Sequence, residues 1–319
     1  MTTDTATLEH VIGRDGLFVL RLHDGDARLT GVDGDRVTVR STDGGSLDGF
    51  EIERGERSLE IRAGHGPGPG DHSGAARRAS RSTDLTIDLP AGATVILEAG
   101  SADIVARHLT GDVRLMTASG DLTIQDVSGT LAAEAVSGDI EIDARDNLTL
   151  VARTVSGDLD IRARTLDGLR ATTTSGDLTI TGEFVGDGPF LIETVSGDAS
   201  LTPRGDARVE VTTLTGDVHG PHIGHRSSRD RDPIAIGSGE GPTVVFRSTS
   251  GDLSVDPRDG EDRSPAPRIK ADPAAHAADP SLAILQALER GEIDVDIADR
   301  RLAALETDET DDQEHTDGR

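Results

Sequence analysis

Apolar and polar residues alternate through most of the chain, and the alternation recurs at a nearly fixed interval. After each Ser-Gly-Asp tripeptide the chain reads apolar, polar, apolar, as in Leu122-Thr123-Ile124. Such period-two alternation predicts a strand with one buried face. Apolar or small residues also lie six, four and two positions before each tripeptide, which predicts a second strand that leads into it. The chain is therefore predicted to be built from pairs of strands, with one tripeptide at each junction.

The tripeptide returns often enough to define a repeat. It begins at Ser119, Ser137, Ser156, Ser175, Ser196 and Ser250, and variants begin at Ser101 (SAD) and Thr215 (TGD). Successive starts are 18, 18, 19, 19, 21, 19 and 35 residues apart. A short repeat of this kind is typical of a solenoid, whose repeats bury their apolar faces against one another. The sequence therefore predicts an all-β fold, a single-stranded parallel β-solenoid with about 19 residues per turn.

The tripeptide itself is predicted to form a sharp corner at one place in every turn. Glycine adopts positive φ without strain, and serine and aspartate side chains accept hydrogen bonds from nearby amides. A column of aspartates also suggests calcium, but calcium β-rolls use a nine-residue repeat with paired glycines, so turn capping is favoured. The predicted corner residues are Gly120, Asp121, Gly138, Asp139, Gly157, Asp158, Gly176, Asp177, Gly197, Asp198, Gly216, Asp217, Gly251 and Asp252.

The segments outside the regular repeats differ in composition. Residues 8–62 are expected to cap the first turn of a domain that spans 8–256, and about 220–242 is expected to be an exposed inserted loop. Residues 257–280 are Pro-rich and predict a linker. The acidic tail, 307–319, is predicted to be disordered.

Residues 281–306 predict a small helical hairpin with an apolar stripe. A helical pair of this size has no core of its own, so we expect it to bind a protein partner or a second copy of the chain. The predicted interaction residues are Leu285, Leu288, Ile293, Leu302 and Leu305.

Composition narrows the classes of function. The chain has 59 Asp and Glu against 32 Lys and Arg, a formal charge of −27, which argues against nucleic-acid binding. It has no cysteine, so disulfides and thiolate chemistry are excluded. No apolar run is long enough to span a membrane, and the first residues do not form a signal peptide. A cytoplasmic location is the expectation.

These motifs resemble a bacterial and archaeal domain-of-unknown-function family called "putative adhesin", whose members carry SGD turns in a β-solenoid. The resemblance covers about 16–256 and includes the lead-in "DLTIDLPAGATVILEAGSADI". The segment "ILQALERGEIDVDIADRRLAAL" is similar to a short helical motif that accompanies these domains, and to C-terminal oligomerisation modules. The resemblance implies no enzymatic activity. It implies a role in cell-envelope stress or in regulation.

Other candidate chemistry is sparse. His219, His222 and His225 could together hold zinc or nickel, but they lie in a Gly/Pro-rich segment with no acidic ligand beside them. No G-x-S-x-G, H-E-x-x-H or P-loop motif is present, and no cofactor is predicted. We therefore expect a non-enzymatic scaffold for protein contacts. The alternatives are an envelope-associated adhesin or polysaccharide-binding protein, and a carbohydrate-active β-helix enzyme.

Overall fold

The structure is a computed structural model that describes residues 7–42, 47–64, 84–220, 224–227 and 233–256. All of them fall in a compact unit that extends to Glu261. The predicted linker, the helical hairpin with its five apolar interaction residues, and the acidic tail lie outside the described residues. Those predictions remain untested.

The described chain is all-β apart from one turn of 3-10 helix at Leu47–Gly49. Its strands in chain order are β1 (Thr7–Val11), β2 (Leu17–Asp24), β3 (Ala27–Val32), β4 (Arg36–Ser41), β5 (Phe50–Arg54), β6 (Ser58–Ala63), β7 (Leu85–Pro90), β8 (Thr94–Ser101), β9 (Ile104–Arg107), β10 (Asp112–Ser119), β11 (Leu122–Gln125) and β12 (Gly129–Ser137). They continue with β13 (Ile140–Arg153), β14 (Leu159–Ser175), β15 (Leu178–Phe184), β16 (Phe190–Ser196), β17 (Ala199–Pro203), β18 (Ala207–Thr215), β19 (Asp217–Gly220), β20 (Gly224–Ser227), β21 (Ile234–Ile236), β22 (Thr243–Ser250) and β23 (Leu253–Val255).

Most of these strands pair in parallel and form two ladders. The approach ladder contains the strands that run into a corner, in the spatial order β6, β2, β8, β10, β12, the second half of β13, the second half of β14, β16, β22 and β18. The exit ladder contains the strands that leave it, in the order β7, β3, β9, β11, the first half of β13, the first half of β14, β15, β17, β23 and β19. We call one approach strand with its exit strand a rung, named by the first residue of its corner.

The repeat pairs in register, which confirms the expected all-β fold with mostly parallel, solenoid-like strands. Leu122 pairs with Ile140, Ile140 with Leu159, and Leu159 with Leu178. All four side chains are buried. Neighbouring rungs pair at equivalent positions along the whole exit ladder. Similar apolar residues therefore stack in columns inside the unit.

The order of the last rungs differs from the order along the chain. The Ser250 rung, formed by β22 and β23, lies between the Ser196 and Thr215 rungs, because β22 pairs with both β16 and β18. In the exit ladder β23 likewise pairs with β17 and β19. Rungs that follow one another along the chain are therefore not always neighbours in the stack. Both orders preserve the register, since Ser196 and Thr215 each align with Ser250.

The sequence predicts only a cap in the N-terminal region. The structure shows that this region also contributes rungs of its own. β2 and β3 pair with β8 and β9, and Asp24 aligns with Ser101. Asp24-Gly25-Asp26 is therefore a corner, and Gly25 has a φ of 103°. β6 and β7 form a further rung on the other side of β2 and β3.

Antiparallel strands cover the ends of both ladders. At one end β5 pairs with β6 and β4 with β7, and β1 pairs with β4. At the other end β21 pairs with β18 and β20 with β19. The segment predicted as an exposed loop near 220–242 therefore contains two edge strands. They occupy backbone groups that would otherwise be open for pairing.

Candidate functional site

Seven corners are fixed by a glycine whose place no residue with a side chain can take without strain, whereas the Ser101 corner has Ala102 there. Gly157 has a φ of 152°, and a Cβ there would lie 2.2 Å from the carbonyl oxygen of Gly138 on the neighbouring rung. Positive φ and the absence of a side chain are thus both required. The same two conditions hold at Gly120, Gly138, Gly176, Gly197, Gly216 and Gly251.

The corner aspartates form a continuous hydrogen-bond ladder between rungs. The backbone N–H of Asp158 donates to Asp139 Oδ1 at 2.8 Å, and the N–H of Asp177 donates to Asp158 Oδ1 at 2.9 Å. Each of these carboxylates therefore accepts a hydrogen bond from a backbone amide of the next rung. The sequence predicts instead a hydrogen bond to an amide within the same turn. The ladder runs through Asp103, Asp121, Asp139, Asp158, Asp177, Asp198, Asp252 and Asp217.

The rigid corners align a column of exposed apolar side chains directly before the tripeptides. Val136, Val155, Val195 and Leu214 are 44, 47, 50 and 73% exposed. Successive side chains of a strand point to opposite faces, so the residues next to inward-facing positions point to solvent. In spatial order this corner stripe consists of Ala118, Val136, Val155, Thr174, Val195, Thr249 and Leu214. Over six spacings of about 4.8 Å it would extend about 29 Å.

A groove of about 510 Å³ runs beside part of the corner stripe. Ala118, Val136, Val155 and Thr174 form one wall of this groove. Met116, Glu134, Arg153 and Thr172 lie in the same lining, two residues earlier on each rung. The surface thus combines an apolar stripe with a parallel row of mixed charge, which is the composition of a surface that binds another macromolecule.

The charged row is held by ion pairs across rungs. Arg114 contacts Glu134 at 3.3 Å, and Glu134 is in register with Arg153 on the next rung. Further along the ladder Arg247 contacts Glu193 at 3.4 Å. These exposed pairs contribute little to stability. Their effect is to order long side chains beside the stripe, so less side-chain entropy is lost when a partner binds.

The structure describes only part of the candidate three-histidine site. His219 in β19 is in register with His225 in β20, and its imidazole is 3.8 Å from the carboxylate of Asp252. His222 lies outside the described residues. Among the described side chains, no three His, Asp or Glu residues are grouped so that they could hold a metal ion. The structure thus gives no geometric support to a three-histidine site.

The corner stripe was not identified from the sequence, although the signal was present. Val136, Val155 and Val195 all precede the motif serine, and Leu214 precedes Thr215. The odd offset predicts that these side chains face outward, and apolar residues at such a position are unexpected for a solvated face.

Parallel in-register rungs, glycine corners and an exposed apolar stripe define a repeat-built β protein of the solenoid-like class. A family model described as Toastrack DUF4097, a domain of unknown function, matches residues 48–256. The chain therefore belongs to this family. The match begins after β1 to β4, which include the Asp24 rung, and it includes β5, β6 and β7.

The chain is also similar to several solved bacterial structures. One is a "putative adhesin" from Bacteroides fragilis, with 10% identity, a TM-score of 0.41 and coverage of 78% of this chain and 95% of that one. A "putative adhesin" and a "putative lipid binding protein" from Parabacteroides distasonis share 14% and 12% identity, with TM-scores of 0.33 and 0.30. Both alignments cover 79% of this chain and 96% of the other. No curated protein matches the chain in sequence.

In the parts of the chain that the structure describes, no helix has the length and apolar character needed to cross a bilayer.

Proposed function

We propose that the chain is a non-enzymatic interaction scaffold that presents the corner stripe to a protein partner. One observation carries the proposal: apolar side chains at a single repeat position are about half exposed or more on rungs along the approach ladder. Exposed apolar side chains that recur in one row, as Val136 and Val155 do on adjacent rungs, mark interaction sites. The glycine corners hold the stripe in place, so a partner meets a preorganised surface.

The predicted helical hairpin 281–306 is the second element of the proposal. Its apolar residues Leu285, Leu288, Ile293, Leu302 and Leu305 need a surface to cover them. We propose that it acts as a docking or self-association element beside the β unit. A role in cell-envelope stress or regulation, and a cytoplasmic location, are parts of the same proposal. Both rest on the sequence alone.

The second candidate is an envelope-associated adhesin or polysaccharide-binding protein. The resemblance to the "putative adhesin" family, given above from the SGD motifs, favours it. Cell fractionation followed by immunoblotting separates the two candidates, because a scaffold of the kind first proposed is recovered with cytoplasmic proteins. Recovery in the envelope fraction would favour the second candidate.

The decisive experiment is a cross-linking pull-down with the full chain and matched variants. Val155→Asp/Val195→Asp places two charges on the stripe, while Val185→Asp is a single-charge control outside it, since Val185 is 39% exposed and directly follows β15. A third variant lacks 281–306. We expect the wild type and Val185→Asp to capture the same proteins and the stripe variant to lose them. Equal capture by the stripe variant and the wild type would contradict the role of the stripe.

A further inference from the structure

A second pocket, of about 390 Å³, lies where exit strands end and the next approach strands begin. Its lining includes the side chains of Arg145, Arg162, Arg164 and Arg204, together with Asp143. Four arginines around one pocket are unexpected in a chain with a formal charge of −27. The pocket is separate from the corner stripe, because none of its lining residues belongs to that surface.

The repeat explains how these arginines meet. Arg145, Arg164 and Arg204 each lie eight residues after a motif serine, at Ser137, Ser156 and Ser196 respectively. The residues before them are held in register, since Ala144 pairs with Ala163 and Gly182 pairs with Pro203. Arg145 and Arg164 are thus on adjacent rungs, where a register shift interrupts the pairing between Ala144 and Asn147, and Arg204 is two rungs, about 10 Å, beyond Arg164.

Two of the four guanidinium groups are already engaged. Arg145 Nε contacts Asp126 at 2.6 Å, and Arg162 contacts Asp160 at 2.5 Å and Glu141 at 3.1 Å. These contacts fix the direction of both side chains.

The other two arginines are free of such contacts. Arg164 and Arg204 form no ion pair with any residue that the structure describes, and both are exposed. Arg164 and Arg204 therefore carry positive charge that no ion pair among the described residues offsets, and Asp143 lies in the same lining.

We propose that this pocket binds a ligand with two or more tetrahedral oxyanion groups, phosphate or sulfate. The planar guanidinium group donates two parallel hydrogen bonds to such an oxyanion. The pocket is larger than a single phosphate, and Arg164 and Arg204 are two rungs apart. A ligand that reaches both free arginines is therefore favoured over one phosphate ion.

The proposal is tested by calorimetric titration of the full chain with pyrophosphate, inorganic phosphate and inorganic sulfate, against NaCl at equal ionic strength. We expect pyrophosphate to bind, inorganic phosphate and sulfate to bind more weakly, and Arg164→Gln/Arg204→Gln to lower the pyrophosphate affinity at least tenfold. Arg107→Gln/Arg170→Gln removes the same charge from exposed positions outside the pocket and should leave the affinity within twofold. Far-ultraviolet circular dichroism checks that both variants are folded.

Two results would overturn the proposal. One is a heat of binding for pyrophosphate no larger than for NaCl. The other is equal affinity in the wild type and Arg164→Gln/Arg204→Gln. The outcome is independent of the proposed scaffold function, since Val155→Asp/Val195→Asp is expected to keep the wild-type affinity for pyrophosphate.

Discussion

Gly157 shows how one residue position sets the geometry of a whole rung. Its φ of 152° is strained for any residue with a Cβ, and the carbonyl of Gly138 occupies the space where a Cβ would be. Gly34 has a similar φ of 140°, but no atom lies within 4 Å of the place that its Cβ would take, and Gly49 has neither restriction. The chain thus allows the effects of backbone strain and of close packing to be separated.

We expect alanine at these three glycines to destabilise the protein in a graded series. Gly49→Ala should change the free energy of unfolding by less than about 0.5 kcal/mol. Gly34→Ala should cost about 1–2 kcal/mol because of backbone strain alone. Gly157→Ala should cost about 3 kcal/mol or more, because strain and overpacking add. Urea denaturation followed by circular dichroism measures all three, and an equal cost at Gly34 and Gly157 would show that the close carbonyl is unimportant.

Asp206 makes stability depend on pH through a contact at the end of the approach ladder. Its carboxylate accepts hydrogen bonds from the Ser238 N–H at 2.9 Å and the Ser238 hydroxyl at 2.5 Å, and these bonds lower the pKa of Asp206 below 3.8. A carboxyl whose folded pKa is lowered adds stability above its unfolded pKa, and loses that contribution as the pH falls through the folded value.

We therefore expect the wild type to be more stable than Asp206→Asn at pH 6, and this difference to shrink as the pH falls below about 4. Urea denaturation of both proteins at a series of pH values from 6 to 3 measures the difference. Asp112→Asn, at an exposed position in β10, is the control for loss of one charge. A stability difference between wild type and Asp206→Asn that grows as the pH falls would contradict this prediction.

At the scale of the element, the repeat was predictable and the order of the rungs was not. Register follows from the columns of Leu122, Ile140 and Leu159, because a shift by one residue would expose all of them. The order of the last rungs depends on the segment between Thr215 and Ser250, and its 35-residue interval is compatible with either stacking. The Asp24 corner was missed because it lacks serine, although Ala27 and Leu29 continue the alternation.

The inserted Ser250 rung can be tested with engineered disulfides, since the chain has no cysteine. Val195, Thr249 and Leu214 occupy the same position on three rungs, with Thr249 in the middle. We expect Val195→Cys/Thr249→Cys to form a disulfide on mild oxidation, because adjacent rungs bring the two Cβ atoms close enough. Val195→Cys/Leu214→Cys should not, because the two positions are about 10 Å apart.

Mass spectrometry under non-reducing conditions detects the cross-link. The same treatment of each single-cysteine variant controls for disulfides between molecules. Stacking in chain order would reverse the result, so a disulfide in Val195→Cys/Leu214→Cys alone would contradict the observed topology.

At the scale of the whole molecule, surplus negative charge opposes folding while local contacts offset it. The excess of 59 acidic over 32 basic residues gives −27, and the corner ladder sets carboxylates about 5 Å apart on successive rungs. Backbone N–H groups satisfy one oxygen of each laddered carboxylate, which weakens the repulsion without removing it. Many ion pairs are exposed, such as Arg36 with Glu9, and contribute little.

Salt should therefore stabilise this protein, since it screens repulsion more than it weakens the exposed ion pairs. The Debye length falls from about 10 Å at 0.1 M to about 3 Å at 1 M salt. We expect the thermal midpoint to rise by roughly 2–4 °C between 0.1 M and 1 M NaCl, which for a unit of this size corresponds to about 1 kcal/mol. KCl should act equally, because screening depends on ionic strength and not on the cation. A fall in the midpoint would mean that ion pairs such as Arg21 with Glu98 outweigh the repulsion along the aspartate ladder.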